Sequence, residues 1–139
     1  MTEVRVERRL ACPAETVWTL IGDFGGLHRW HPLVRSLDLS WEGRIRTLHF
    51  DDGGHAVERL EARNDRARRY AYALVDGPFA IQDCHSTLEV RPGEDRRNCV
   101  VIWTSSFEPV GHAGAQADVV LEHLYGAGLR ALESVIGMT

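Results

Sequence analysis

Three residues with ionisable or hydroxyl side chains, His49, Glu58 and Tyr72, form the candidate catalytic set on neighbouring predicted strands. A carboxylate partly removed from water has a raised pKa, so Glu58 could move a proton beside a carbonyl group. Tyr72 could donate a hydrogen bond to a developing enolate, and His49 could act as acid or base. Cyclisation with loss of water needs such a set, because a proton leaves a carbon beside a ketone and a departing hydroxyl is protonated.

The placement of these residues on one wall depends on how the strands pair. The turn sequence Asp-Asp-Gly-Gly predicts a hairpin with a two-residue loop, in which His49 lies opposite Ala56 and Thr47 opposite Glu58. The second face of this hairpin, which includes Arg46, is more charged, so the first is predicted to face the interior. A slip of one residue would reverse the two faces. The predicted interior set is Ile45, Thr47, His49, Ala56, Glu58, Leu60 and Ala62.

Aromatic, apolar and small polar side chains complete the predicted wall. The predicted ligand-binding residues are Trp30, Leu60, Tyr70, Phe79, Cys84, Ser86, Trp103, Phe107 and Leu124. Cys84 and Ser86 share one parity on their strand, and Trp103 and Phe107 share one parity on the last strand. Adjacent strand residues point to opposite faces, so His85 is not expected to activate Cys84.

Each candidate residue also has a simpler, structural interpretation, and the sequence leaves the functional and the structural interpretations open. Glu58 could pair with an arginine or lie at a wet pocket mouth, because buried acids are usually paired. His49 could be a hydrogen-bonded structural residue. Tyr70 and Tyr72 are good strand formers and could serve packing alone.

Metal and cofactor chemistry find little support in the sequence. His28 and His31 have a spacing compatible with zinc, but no Glu or Cys completes the set, and Asp23 is the nearby carboxylate. Trp30 and His31 are instead predicted at the lip of the pocket. No phosphate loop, dinucleotide fingerprint or Gly-x-Ser-x-Gly elbow is present, so no cofactor and no metal are predicted.

The hydrophobic periodicity predicts the elements that position these residues. One strand is followed by two short helices, six strands and a long helix over about 115–136, whose apolar stripe includes Val119, Val120 and Leu124. Six strands joined by short turns make an antiparallel meander, and the last helix is the element long enough to cover it. The prediction is an α+β helix-grip fold, a curved seven-stranded antiparallel sheet around the C-terminal helix, with a pocket between them. Gly126 and Gly128 interrupt the helix and predict a close approach there.

The overall composition limits the classes of function. The chain has 139 residues and a net charge of −4, which favours one domain over 1–139 and gives no basic footprint for nucleic acid. No run of about 18 apolar residues is present, so no membrane span is expected. Cys12, Cys84 and Cys99 are odd in number and far apart, which favours free thiols in a reducing cytoplasm.

Three segments near the start, Pro13–Trp18, Ile21–Phe24 and Leu27–Pro32, resemble the opening of the START/Bet v 1-like (SRPBCC) superfamily. The resemblance is closest to its bacterial polyketide cyclase/dehydratase branch. Further similar positions are Glu58, Arg59, Leu60, Tyr70, Tyr72, Gly77, Pro78 and Trp103. The resemblance implies a deep apolar cavity and a hydrophobic small-molecule partner of polyketide, aromatic or lipid-like type.

The sequence leaves three functions open. The first is a cofactor-independent cyclase or dehydratase, favoured by the ionisable cluster. The second is a non-catalytic carrier or sensor of an apolar ligand, in which Glu58 and Tyr72 anchor the polar end. This reading is favoured by the lack of a recognisable catalytic signature. The third is a protein-binding domain with a collapsed pocket. A homodimer is also left open.

Overall fold

The computed structural model describes residues 1–137, which form seven strands and two α-helices. The strands are β1 (Thr2–Leu10), β2 (Val34–Ser40), β3 (Ile45–Phe50), β4 (His55–Asn64), β5 (Arg69–Asp76), β6 (Ile81–Pro92) and β7 (Cys99–Pro109). The helices are α1 (Ala14–Ile21) and α2 (Ala117–Gly137), with 3₁₀ helices at Phe24–Arg29 and Ala113–Gln116. No helix within the described residues is long and apolar enough to cross a bilayer.

The seven strands form one antiparallel sheet in the order β1-β7-β6-β5-β4-β3-β2. Strands β2 to β7 follow one another as a meander, and β1 closes the other side by pairing with β7. Helix α2 covers the concave face of the curved sheet. The predicted α+β helix-grip fold, with short helices after the first strand, is confirmed.

One side of α2 supplies the helix contribution to the core. Its buried positions recur every three or four residues and are Ala117, Leu121, Tyr125, Leu129 and Leu132. Val119 and Val120 are 56% and 48% exposed, so their place in the predicted apolar stripe was wrong. They lie about a third of a turn or more away from the buried row at 3.6 residues per turn.

The β3–β4 turn has one more residue than the sequence interpretation assumed. The Gly53 N–H bonds to the Phe50 carbonyl at 3.0 Å, and the Phe50 N–H bonds to the Gly54 carbonyl at 2.9 Å. Gly53 has a φ of +94°, which a glycine adopts without a steric penalty. The loop is therefore the three-residue type, a turn followed by a left-handed glycine.

This loop shifts the pairing of β3 by one residue. Leu48 lies opposite Ala56, and Arg46 lies opposite Glu58. The predicted pairing of His49 with Ala56 was wrong, and the interior face of β3 is the one predicted to face outwards. Arg46, Leu48 and Phe50 are buried there, whereas Ile45, Thr47 and His49 are turned away from the core.

Candidate functional site

A small cavity lies between the concave face of the sheet and α2. Its volume is ≈ 20 Å³, which is room for about one water molecule. The lining is largely apolar, with side chains from β3, β5, β6 and α2. The polar side chains that reach it are His31, Glu58, Tyr72, Cys84, Ser86 and Tyr125.

A second, open space adjoins this cavity at the surface. This outer groove has a volume of ≈ 280 Å³ and shares Phe50, Phe79 and Leu124 with the cavity. The Phe50 and Phe79 rings pack in a T-shaped arrangement, with centroids 6.3 Å apart and an interplanar angle of 73°. These three side chains line both spaces, and we call them the gate.

The strongest electrostatic contact in the interior joins Arg46 to Glu58. Both Nε and Nη2 of Arg46 lie 2.8 Å from Glu58 Oε1, and Arg46 has no exposed surface. Arg46 Nη1 donates to the Phe24 carbonyl at 3.0 Å and to the Tyr70 hydroxyl at 3.2 Å. The guanidinium carbon also lies 4.1 Å from the centroid of the Phe24 ring, so a cation–π contact adds to the stabilisation of its charge.

Glu58 lines the cavity with one of its two oxygens bound to Arg46. Both contacts from Arg46 fall on Oε1, and Oε2 has no hydrogen-bond partner among the described residues. Burial raises the pKa of the Glu58 carboxyl above its usual value, and the Arg46 charge offsets part of that rise. A carboxylate in this position can accept a hydrogen bond or a proton from a group in the cavity.

Tyr72 has the complementary capacity. Its hydroxyl oxygen accepts a hydrogen bond from Trp103 Nε1 at 2.9 Å, which leaves its own proton free to be donated. Burial raises the pKa of Tyr72 well above its usual value, so the hydroxyl stays protonated. Glu58 and Tyr72 thus line one cavity as an acceptor and a donor.

His31 joins the cavity wall to the middle of α2. Its Nε2–H donates to the Leu124 carbonyl at 2.8 Å, and its Nδ1 accepts from the Leu33 N–H at 3.1 Å. A Cβ on Gly128 would lie 2.6 Å from the His31 ring, so the close approach predicted at this glycine is confirmed. Burial and the Arg46 charge together outweigh the Leu124 hydrogen bond and lower the pKa of His31 to about 4, so the ring is neutral at pH 7.

A chain of hydroxyl and thiol groups lines the β6–β7 side of the cavity. Ser86 Oγ donates to Ser105 Oγ at 3.1 Å, and Cys84 Sγ lies 3.2 Å from Ser105 Oγ. A bulge in β6, with Asp83 at a φ of +51°, adds one residue before Cys84. The added residue lets both Ile81 and Cys84 face the cavity. Burial raises the pKa of Cys84, so its thiol is a polar lining group and not a nucleophile.

The structure brings most of the predicted site residues to the cavity. The predicted residues that line it are Glu58, Tyr72, Phe79, Cys84, Ser86, Trp103 and Leu124. Trp30, Tyr70 and Phe107 are buried but lie behind the wall, and Leu60 is partly buried against the core. Trp30 packs on the rings of Trp103 and His31 and is only 3% exposed, so its predicted position at the lip was wrong.

His49 lies on the outer face of the sheet, which corrects its predicted place on the concave wall. Its Nε2 is 2.9 Å from Asp38 Oδ2, and 37% of its side chain is exposed. The cause is the three-residue turn, which reverses the face of every β3 side chain. We therefore remove His49 from the candidate catalytic set.

Arg46, Tyr125 and the internal position of His31 were missed. The signal for Arg46 was present, because Leu48 and Phe50 share its parity and are the large apolar residues of β3. Burial of these two side chains outweighs the desolvation cost of the Arg46 charge. That cost is reduced because the guanidinium contacts a carboxylate, a carbonyl oxygen and three aromatic rings. Tyr125 lies one position beyond Leu124 and shares the buried face of α2.

No set of three or more His, Cys, Asp or Glu side chains within residues 1–137 is arranged to hold a metal ion. Cys12, Cys84 and Cys99 are buried and unpaired. The cavity can therefore offer a ligand one carboxylate oxygen, several hydroxyl groups and aromatic or aliphatic walls. Such a lining suits an apolar molecule with a few polar atoms.

Comparisons with known proteins agree with the fold. Solved structures with similar folds include the protein XoxI from Bacillus cereus, which is 33% identical with a TM-score of 0.94 over 97% of this chain and 95% of its own. The Zhui aromatase/cyclase from Streptomyces sp. R1128 is 18% identical with a TM-score of 0.82 over 96% of this chain and 92% of its own. A START superfamily protein from Mycobacterium smegmatis is 15% identical with a TM-score of 0.79 over 98% and 97%.

The aromatase/cyclase and the START superfamily protein, at 18% and 15% identity, show the fold alone. Among curated proteins, none matches the chain significantly. The family described as polyketide cyclase / dehydrase and lipid transport matches residues 1–137. The chain therefore belongs to this polyketide cyclase/dehydrase and lipid transport family.

Proposed function

We propose that the protein binds an apolar small molecule with a polyketide-like pair of carbonyl groups and promotes its cyclisation with loss of water, without a cofactor. The observation that carries the proposal is the pairing of an acceptor and a donor in one cavity. Glu58 Oε2 has no partner among the described residues, and the Tyr72 hydroxyl has an uncommitted proton.

The chemistry needs two proton movements that Glu58 can perform in turn. Glu58 accepts a proton from the carbon beside the first carbonyl, while Tyr72 donates a hydrogen bond to the enolate oxygen. The carbon then forms a bond to the second carbonyl carbon, and protonated Glu58 returns its proton to that carbonyl oxygen, which becomes a hydroxyl. Glu58, again a carboxylate, takes the second proton from the same carbon and gives it to the departing hydroxyl, so that water leaves, a double bond forms and Glu58 is regenerated.

A carrier or sensor of an apolar ligand is the second candidate. The observation that favours it is the bond between Arg46 and Glu58, which fixes the carboxylate and suits an anchor for a ligand hydroxyl. In this case, Glu58 and Tyr72 hold the polar end of a ligand that leaves unchanged. The buried and unpaired thiols support a reducing, cytoplasmic location for either function.

Turnover of a linear poly-β-carbonyl thioester, followed by mass spectrometry, separates the two functions. We expect a product lighter by one water with the native protein, and loss of that product with Tyr72→Phe and Glu58→Gln while binding persists. Glu61→Gln is the matched control, since Glu61 pairs with His85 on the outer face. Product formation at the native rate in both cavity variants contradicts catalysis by Glu58 and Tyr72, and bound but unchanged thioester with native protein supports the carrier.

A further inference from the structure

Two tyrosines that line the cavity have opposite hydrogen-bonding roles. The Tyr72 oxygen accepts the Trp103 Nε1–H at 2.9 Å, so Tyr72 presents its proton. Tyr125 reaches the cavity from α2, and its ring stacks on Trp103 with centroids 4.4 Å apart at 11°. Trp103 therefore holds both phenol groups in place, one by a hydrogen bond and the other by ring contact.

The direction of one hydrogen bond fixes the role of Tyr125. Ser86 Oγ donates to Ser105 Oγ at 3.1 Å, and a serine hydroxyl has one proton to donate. The contact of 3.3 Å between Ser86 Oγ and Tyr125 Oη must then be a donation from Tyr125. Tyr125 gives its proton to the serine pair and presents only oxygen lone pairs.

Burial protects the hydrogen bonds among Tyr125, Ser86 and Ser105 from exchange with water. Ser86 and Ser105 are each 4% exposed and Tyr125 is 3% exposed, so bulk water cannot readily take over the hydrogen bonds. Burial also raises the pKa of Tyr125 to about 12, which keeps its proton in place. A buried acceptor that meets another acceptor, such as an ether or a carbonyl oxygen, is left unsatisfied at a cost in affinity.

We propose that Tyr125 is a specificity-determining hydrogen-bond acceptor that selects ligands carrying a hydroxyl group at the α2 end of the cavity and rejects the corresponding ethers. The inference rests on the proposed function, because it takes the cavity to be the ligand site. The ligand class is an apolar, aromatic or enolic molecule with a free hydroxyl towards Tyr125 and a carbonyl towards Tyr72. An O-methylated analogue of the same molecule is a poor ligand.

The test compares 2-naphthol with 2-methoxynaphthalene by isothermal titration calorimetry of the full chain. We expect the native protein to bind 2-naphthol more tightly than 2-methoxynaphthalene. Tyr125→Phe should reduce the ratio of the two affinities about fivefold, which is the contribution of one neutral hydrogen bond. The phenylalanine keeps the ring that stacks on Trp103. The change therefore removes the oxygen without removing the wall.

A second variant tests the direction of the hydrogen bond. The double change Ser86→Ala/Ser105→Ala removes the groups that take the Tyr125 proton, so Tyr125 becomes a donor. We expect 2-methoxynaphthalene to bind about fivefold more tightly to this variant than to the native protein. Ser106→Ala is the matched control, because Ser106 neighbours Ser105 on β7 and lines a groove on the outer face.

The outcomes separate this inference from the proposed function. A reduced preference in Tyr125→Phe together with tighter ether binding in the double variant supports the acceptor role. Binding of 2-naphthol with an unchanged preference in Tyr125→Phe overturns the inference and leaves the cavity as the ligand site. Failure of both naphthalenes to bind the native protein contradicts the cavity as a ligand site and overturns the inference with it.

Discussion

Arg46 and Glu58 are cross-strand partners on β3 and β4, and both side chains point into the core with Arg46 Nε 2.8 Å from Glu58 Oε1. This contact shapes the chemistry of the cavity, because Glu58 is the one carboxylate that lines it among the described residues. It also leaves Glu58 Oε2 without a hydrogen-bond partner among the described residues. The pair therefore sets both the stability of the interior and the polar group that a ligand meets.

Removal of one member of this pair should destabilise the fold. Arg46→Met leaves Glu58 buried without its counter-charge and should lower the free energy of unfolding by about 3–5 kcal/mol. Arg46→Met/Glu58→Leu should lose much less, because neither charge remains. Urea unfolding at pH 7 measures both, with Arg59→Met on the exposed side of β4 as the control. An equal loss in the single and the double variant would show that the pair is not coupled.

His31 should make stability fall in mild acid. Burial lowers its pKa from 6.5 to about 4, so between these values the unfolded chain binds a proton that the folded chain does not. The free energy of unfolding should therefore fall by about 3 kcal/mol as the pH drops from 6.5 to 4. His31→Gln should lose this part of the pH dependence, whereas His112→Gln at an exposed position should keep it. Parallel curves for native protein and His31→Gln would refute the assignment.

Two glycines of α2 should respond oppositely to alanine. At Gly128 a Cβ would lie 2.6 Å from His31 Cδ2, so Gly128→Ala should destabilise the fold by about 1–3 kcal/mol. At Gly126 the nearest group is the mobile end of Arg130, so Gly126→Ala should gain about 0.5–1 kcal/mol from helix propensity. Thermal unfolding measures both changes. The same sign for both variants would contradict the contact between His31 and α2.

The gate should control how fast a ligand enters. Phe79→Ala removes a ring shared by the cavity and the outer groove, so an apolar fluorescent probe should associate several-fold faster. Stopped-flow mixing with anilinonaphthalene sulfonate measures the rate. Val75→Ala is the control, since Val75 is exposed and lines neither space. An unchanged association rate in Phe79→Ala would place the entrance elsewhere.

The fold was readable from the sequence because alternation, turn residues and the final helical stripe all indicate the same architecture. The sequence did not reveal which face of β3 is buried, since a two-residue and a three-residue loop both fit Asp-Asp-Gly-Gly. The two loops differ by one residue, and a shift of one residue exchanges the two faces of a strand. Glu58 and Tyr72 reached the cavity despite this slip, because they lie on strands whose parity is set by other apolar residues. Arg46 was missed because a buried arginine depends on tertiary partners, namely Glu58 and the ring of Phe24, that no local pattern shows.

Native mass spectrometry of a cavity-filling variant tests most directly the central claim, that the cavity is the ligand site. Leu124→Trp should fill the space between cavity and groove, whereas Val119→Trp lies on the exposed side of the same helix. The native protein and Val119→Trp should each retain one molecule of 2-naphthol, and Leu124→Trp should retain none while its circular dichroism stays native. Equal retention by all three proteins, or retention by none, would contradict the central claim.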